Sequence, residues 1–294
     1  MLGSDVLFLS NILLFASSCQ DTHDAIECGA WADAGECEVN PGFMKVNCAQ
    51  SCNSCDWSSK KCSRHGLSAL PPGETISTLF RRAKIYASDV LYEDPWILAF
   101  EHFLTAEEIA AFKRHSTNLV RSLAGQEESD DRTSMQMWCV TDPCLSDPLI
   151  EKVHQRVVNI TGIPKEHAEY FQIVQYEPGQ FYRPHQDQNS KADSLVGVRL
   201  STFFLYLQTP EAGGATYFPK LGVKVQAEAG LALWWPNVRD DLSTDERTEH
   251  EAQSVHEGTK LTANLWLHEY DFRTPFTFGC NLDEVGASIQ SDEL

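Results

Sequence analysis

His185-Gln186-Asp187 offers an imidazole and a carboxylate two positions apart. Alternate residues of a strand project to the same face, so both side chains can reach one ion. By itself such a pair is common on protein surfaces. One further histidine turns it into a two-histidine, one-carboxylate set that leaves three adjacent coordination positions open. Ferrous iron needs that arrangement to hold a chelating small molecule and dioxygen together. Two histidines, His250 and His256, stand near what reads as the penultimate strand. Their separation is even, so alternation puts both on the same face and does not choose between them.

Such a site needs strands to carry it, and the pattern supplies them. From Tyr170 onward, short runs rich in β-branched and aromatic residues alternate with turns, at 170–177, 181–187, 199–208, 215–218, 223–227, 230–235, 249–255 and 260–269. Helices are expected before them. One lies over 76–87. A second covers 106–120, capped by Thr105 with Glu107 and Glu108 in its first turn. A third begins at Asp147-Pro148 and stops at Gly162. Cys139 and Cys144 flank a Thr-Asp-Pro turn and are expected to pair. Eight strands behind helices predict an α+β chain built on a double-stranded β-helix, or jelly roll, with flanking N-terminal helices. In the last strand Lys260, Thr262, Asn264, Trp266 and His268 share one face, while Leu261, Ala263, Leu265 and Leu267 share the other. The apolar set can enter a core and the polar and aromatic set can line a cavity.

The surrounding residues extend the reading. Tyr176-Glu177-Pro178-Gly179-Gln180-Phe181-Tyr182-Arg183-Pro184 leads into His185. Downstream come Arg199-Leu200-Ser201-Thr202, Gly213-Gly214-Ala215-Thr216-Tyr217-Phe218-Pro219, Gly230-Leu231-Ala232-Leu233-Trp234, and Gly258-Thr259-Lys260 running to His268. In order and spacing these resemble the catalytic domain of prolyl 4-hydroxylases over roughly 95–275. The resemblance implies Fe(II) and 2-oxoglutarate, with ascorbate as rescuing reductant, and a proline-containing peptide or protein as substrate. It selects His250, ten residues before Lys260, as the third ligand beside His185 and Asp187. It makes Lys260 the cation for the cosubstrate's far carboxylate, with Tyr176 and Thr216 as hydroxyl donors. An unpaired anion inside a desolvated barrel would be costly. It also assigns Tyr182, Arg199, Trp266 and His268 to the substrate. Two other readings stay open: the same machinery acting on a lysyl residue, free amino acid or metabolite, or a non-catalytic binding protein.

The first fifth of the chain belongs to a different class. Six cysteines, at 19, 28, 37, 48, 52 and 55, crowd a segment too short to bury an adequate core, so disulfides must hold it. Cys28-Gly29-Ala30-Trp31-Ala32, Gly35-Glu36-Cys37, Asn40-Pro41 and Ser51-Cys52-Asn53-Ser54-Cys55 resemble the ShK toxin-like domain. That likeness implies the pairs Cys19–Cys55, Cys28–Cys48 and Cys37–Cys52. The expected organisation is a signal peptide at 1–18, this module at 19–56, a connector at 57–92, the oxygenase-like domain at 93–278 and a tail at 279–294. The apolar run before Cys19, the cysteine density, a glycosylation sequon at Asn159 and the terminal Ser291-Asp292-Glu293-Leu294 point to the lumen of the endoplasmic reticulum, or else to secretion. No membrane span is expected after signal removal. A net charge of −19 argues against nucleic acid as a partner and would suit a basic peptide or simple solubility. Sequence leaves the oligomeric state open, along with whether Cys62 and Cys280 pair.

Overall fold

A computed structural model describes residues 20–55, 62–64, 66–123 and 128–282. The proposed signal peptide, Cys19 and the terminal Ser-Asp-Glu-Leu lie outside the described residues. The chain divides into two compact units, one comprising 1–61 with Phe278–Cys280 and the other comprising Cys62–Thr277 with the tail.

In the first unit three short helices, α1 (Ala25–Asp33), α2 (Glu36–Val39) and α3 (Pro41–Asn47), surround a core of Cys28, Met44 and Cys48. Asp24 caps α1 by accepting from the amides of Ile26 and Glu27. Disulfides Cys28–Cys48 and Cys37–Cys52 take the place of the apolar core that so short a segment lacks. Cys55, Cys62 and Cys280 are each disulfide-bonded as well.

The second unit is a jelly roll. Its strands are β1 (Asp89–Glu93), β2 (Trp96–Phe100), β3 (Val120–Arg121), β4 (Met135–Trp138), β5 (Gln172–Tyr176), β6 (Tyr182–His185), β7 (Arg199–Gln208), β8 (Ala212–Gly213), β9 (Thr216–Phe218), β10 (Val223–Val225), β11 (Ala232–Pro236), β12 (His250–Ala252), β13 (Val255–Glu257) and β14 (Lys260–His268). The major sheet runs β1-β2-β11-β7-β14-β5-β4-β3, and a minor sheet, β10-β9-β12-β6, faces the cavity side. The pair β8 and β13 closes one end; there Gly213 takes a positive φ, and a Cβ on it would lie 2.4 Å from the Ser254 carbonyl.

Three helices cover the outer face of the major sheet: α4 (Ile76–Ala83), α5 (Ala106–His115) and α6 (Pro148–Thr161). Thr105 and Glu108 form a reciprocal cap at the start of α5. Buried Glu108 also takes two hydrogen bonds from Arg156 of α6, at 2.6 and 3.0 Å. Asp147 caps α6, Pro148 opens it, and Gly162 ends it at positive φ. Cys139 and Cys144 are joined.

Two differences from the sequence reading have physical causes. The helix expected over 106–120 ends at His115, because Asn118 turns at positive φ and Val120–Arg121 leave to pair with β4. The connector expected over 57–92 holds structure that belongs to the catalytic unit. Ile76, Leu79, Phe80 and Ala83 are buried in the main core, Phe80 stacks on Trp234 at 3.9 Å, and β1 pairs with β2. Spacing of i, i+3, i+4 and i+7 gives α4 one apolar face, which a polar surrounding sequence masked. Phe80→Ala should therefore cost about 3–5 kcal/mol in urea unfolding. A loss below about 1 kcal/mol would place α4 outside the core.

Candidate metal and oxoacid site

The site sits inside the mouth of the roll, and strand register builds it. In the β6–β12 pair His250 lies directly opposite His185. Their rings stand 4.4 Å apart, centre to centre. The strand expected through 187 stops at His185, and Asp187 follows in a bend, yet its carboxylate turns back between the two rings. Oδ1 lies 3.6 Å from His185 Nε2, and Oδ2 lies 3.6 Å from His250 Nε2. The three ligand atoms fall within 4.8 Å of one another, the only such histidine, cysteine and acid cluster among the described residues. His256 is exposed on β13, on the outside. Register thus separates the two histidines that alternation left equivalent.

Neighbouring groups fix how these three present themselves. His185 Nδ1 donates to the Arg183 carbonyl at 2.8 Å and His250 Nδ1 to the Thr248 carbonyl at 3.0 Å, so each Nε2 offers its lone pair inward. Burial, and then the neighbouring His250, push the His185 pKa down to about 3, which keeps that imidazole neutral and ligating. Burial works to raise the Asp187 pKa, but His250, His185 and a 2.7 Å hydrogen bond from the Thr202 hydroxyl outweigh it and hold the carboxyl ionised. Thr202 is itself in hydrogen-bond contact with buried Asn237.

Beside the cavity walls Tyr176 and Phe204 lies Lys260, fully buried, with no hydrogen-bond partner for its Nζ. The ammonium is 5.3 Å from the ring centre of Tyr176, 5.8 Å from Tyr206 and 5.9 Å from Phe204. Burial alone drives its pKa down to about 7. Three rings soften the desolvation without neutralising the charge. An unpaired donor of this kind, behind the walls of the cavity that holds three converging metal-ligand atoms, fits a chelating anion with a second carboxylate. Buried Tyr176 and Thr216 line the same cavity, and the Tyr206 hydroxyl donates to Thr216 Oγ1 at 2.7 Å.

The four residues expected at the substrate do not all face this cavity. Tyr182 stacks on His185 at 3.5 Å, and the Arg132 guanidinium is 4.7 Å from its ring. Arg199 lies 4.3 Å from the Trp266 ring and donates to Glu169 at 2.6 Å. Trp266 Nε1 is buried without a partner. His268 instead donates through Nε2 to Glu169 at 2.8 Å and lines a neighbouring trough. Asn159 is exposed in the last turn of α6. Sequence reasoning missed Thr202, Arg132, Tyr206 and Glu169. Thr202 and Tyr206 carried one signal, an even spacing in β7 that puts both on one face.

A jelly roll whose mouth gathers two imidazoles and one carboxylate is the scaffold of a mononuclear facial-triad oxygenase. Residues 171–268 match the family described as the 2OG-Fe(II) oxygenase superfamily, and residues 18–55 match the family described as ShK domain-like. The chain thus carries a 2OG-Fe(II) oxygenase domain and a ShK-like domain. Prolyl 4-hydroxylase subunit alpha-2 of Gallus gallus is 33% identical over 189 residues, 60% of this chain and 35% of that protein. The alpha-2 subunit of Caenorhabditis elegans is 31% identical over 209 residues, 67% of this chain and 38% of that protein. The chain spans well under half the length of these relatives. Among solved structures, the viral collagen prolyl hydroxylase of Paramecium Bursaria Chlorella virus-1 aligns at a TM-score of 0.46 and 24% identity, covering 58% of this chain and 95% of that one.

Thr202→Val should weaken Mn(II) or Co(II) binding by about 10–100-fold, whereas Thr202→Ser should keep it near wild type, because only the hydroxyl is needed to hold Asp187. Metal titration of the full chain checks both.

Proposed function

We propose that the chain is an Fe(II)- and 2-oxoglutarate-dependent prolyl 4-hydroxylase acting on proline within a peptide or protein. The observation that carries this is the partnerless, fully buried Lys260 ammonium beside Tyr176 and Phe204, which line the cavity of the His185, Asp187 and His250 cluster. His185, Asp187 and His250 would hold iron, and Lys260 with Tyr176 and Thr216 would hold the far carboxylate of 2-oxoglutarate. When bound, iron and the oxoacid together activate dioxygen, one oxygen atom leaving in succinate beside carbon dioxide and the other entering the substrate C–H bond. The same resemblance supports ascorbate as the reductant that restores iron oxidised without substrate.

The protein's own part is positioning. Three protein ligands leave the remaining coordination positions to small molecules. Tyr182, packed between His185 and Arg132, walls one side of the cavity. Arg199 is pinned against Trp266 by Glu169, whose carboxyl stays ionised because Arg199 and His268 outweigh the burial that would raise its pKa. Trp266 keeps a free N–H for a substrate carbonyl. Aromatic side chains, Trp138, Tyr176, Tyr182, Phe204 and Trp266, wall the cavity and can hold the target carbon close to the oxidant. Disulfides in both units support passage through the secretory pathway and residence in an oxidising lumen.

Proline-containing peptide added with Fe(II) and 2-oxoglutarate should release succinate and form 4-hydroxyproline in equal amounts; succinate without hydroxyproline would remove the prolyl assignment. Lys260→Met should lower 2-oxoglutarate affinity by at least about 100-fold, since a buried pair loses one member. Metal affinity should hold, and the free protein should be no less stable, because a buried unpaired ammonium is gone. The ammonium is required for binding and its pKa in the free protein is about 7, whereas the bound anion raises it. Apparent affinity is then flat below pH 7 and falls roughly tenfold per pH unit above it, with uptake of a proton on binding. Calorimetric titration of the Mn(II)-loaded protein between pH 6 and 9 measures this; a flat profile would refute the Lys260 assignment.

A further inference from the structure

Between the metal ligand Asp187 and Arg199 the chain leaves the cavity and must return to it. Burial fixes the second half of that excursion. Leu195, Val196 and Val198 are in the interior, and the Tyr270 amide donates to the Val196 carbonyl at 3.1 Å. The first half, 189–193, is polar and mostly exposed. A stretch of that kind opens easily when nothing else holds it. Yet this half carries part of the site. Asn189 lines the metal cavity. Gln188 Nε2 donates to the Ser190 carbonyl at 2.8 Å, and Gln188 Oε1 accepts from the Arg199 amide at 2.8 Å. A shift of 189–193 would therefore be felt at Arg199.

The group that grips this stretch is distant in sequence. Arg64 Nε donates to the Ser194 carbonyl at 2.9 Å, and Nη2 donates to the Ala192 carbonyl at 2.5 Å. The same guanidinium lies 4.5 Å from the centre of the Tyr270 ring, which holds it flat against the unit. Burial raises the pKa of the neighbouring Glu269, and a hydrogen bond with Tyr270 and the Arg64 charge pull against that rise. A guanidinium presents its N–H groups as a rigid fork, and two carbonyls two residues apart match it; an ammonium is a point charge without that geometry. Arg64 stands at the start of the second unit, in the stretch that reads from sequence as connector, and the catalytic reading does not use it.

We propose that Arg64 is a positioning residue for the substrate wall of the metal cavity. It acts through the backbone of 192–194 to hold Asn189 and the Gln188–Arg199 contact where the substrate meets them. The inference takes its substrate from the prolyl reading above, but its geometry stands without it. The connector is then part of the working site: the residues that lead into the catalytic unit clamp the segment that follows its metal-binding aspartate.

Full-length protein and two variants test this. Arg64→Ala should raise the peptide KM about 3–30-fold, the reach of a residue that acts through its neighbours, with kcat within about twofold. Mn(II) affinity should be unchanged, because Thr202 and not this segment holds the Asp187 carboxylate. Arg64→Lys keeps the charge over Tyr270 but loses the fork, and should match the alanine variant; a lysine variant equal to wild type would overturn the clamp. Millimolar methylguanidinium should lower the KM of Arg64→Ala again. Hydrogen exchange of the free protein reads the geometry with no substrate present: amides of 189–193 should exchange at least about tenfold faster in Arg64→Ala, while those of β14 hold. Unchanged exchange at 189–193, a rise spread evenly over the catalytic unit, or a loss of kcat in place of a KM rise would each overturn the proposal. Faster exchange confined to 189–193, in a protein whose wild type hydroxylates no proline, would keep the clamp and sink the prolyl reading alone.

Discussion

Lys260 brings a positive charge into an enclosed pocket of rings where nothing pairs with it. A charge in that position is expensive, and a protein that keeps one is arranged around the anion that will meet it. On the proposed reading, a molecule that chelates at one end and ends in a carboxylate at the other would supply that anion. Alkyl or amide side chains around the same point would leave a metal site with no selectivity for its organic cosubstrate.

Two long strands let one chain build both the cavity and the support that keeps it rigid. In β14, Leu261, Ala263, Leu265 and Leu267 enter the main core beneath the helices. Lys260, Thr262, Asn264, Trp266 and His268 face the other way. In β7, Phe203, Leu205 and Leu207 join the same core, while Thr202 holds Asp187 and Tyr206 holds Thr216. Because each cavity-side side chain alternates with a packed neighbour, displacing one means disturbing the core. The helices matter to chemistry for that reason: Phe80 on Trp234 and Phe112 against Phe171 fix the sheet from behind.

The ShK-like unit obeys a different economy. Its core is mainly cystine sulfur and Met44, with exposed Ile26 and Val39 outside it. Covalent links hold a segment whose buried area could not hold itself, which leaves its surface free of any demand from folding. The catalytic unit, by contrast, depends on area, and its Cys139–Cys144 disulfide ties only the local turn just beyond the Trp138 wall.

The sequence by itself determined the jelly roll, the His-X-Asp pair, the two-faced last strand and the cysteine framework, since each is written in local periodicity or spacing. Alternation is a local property, so it placed His250 and His256 on one face and could go no further. Only pairing between β12 and β6, a contact between segments 65 residues apart in register, put His250 beside His185 and left His256 outside. The same holds for the Thr202 bond to Asp187, for the withdrawal of His268 to Glu169, and for the membership of α4 in the core. Each depends on which distant group lies across a sheet or behind it, and no window along the chain contains both partners.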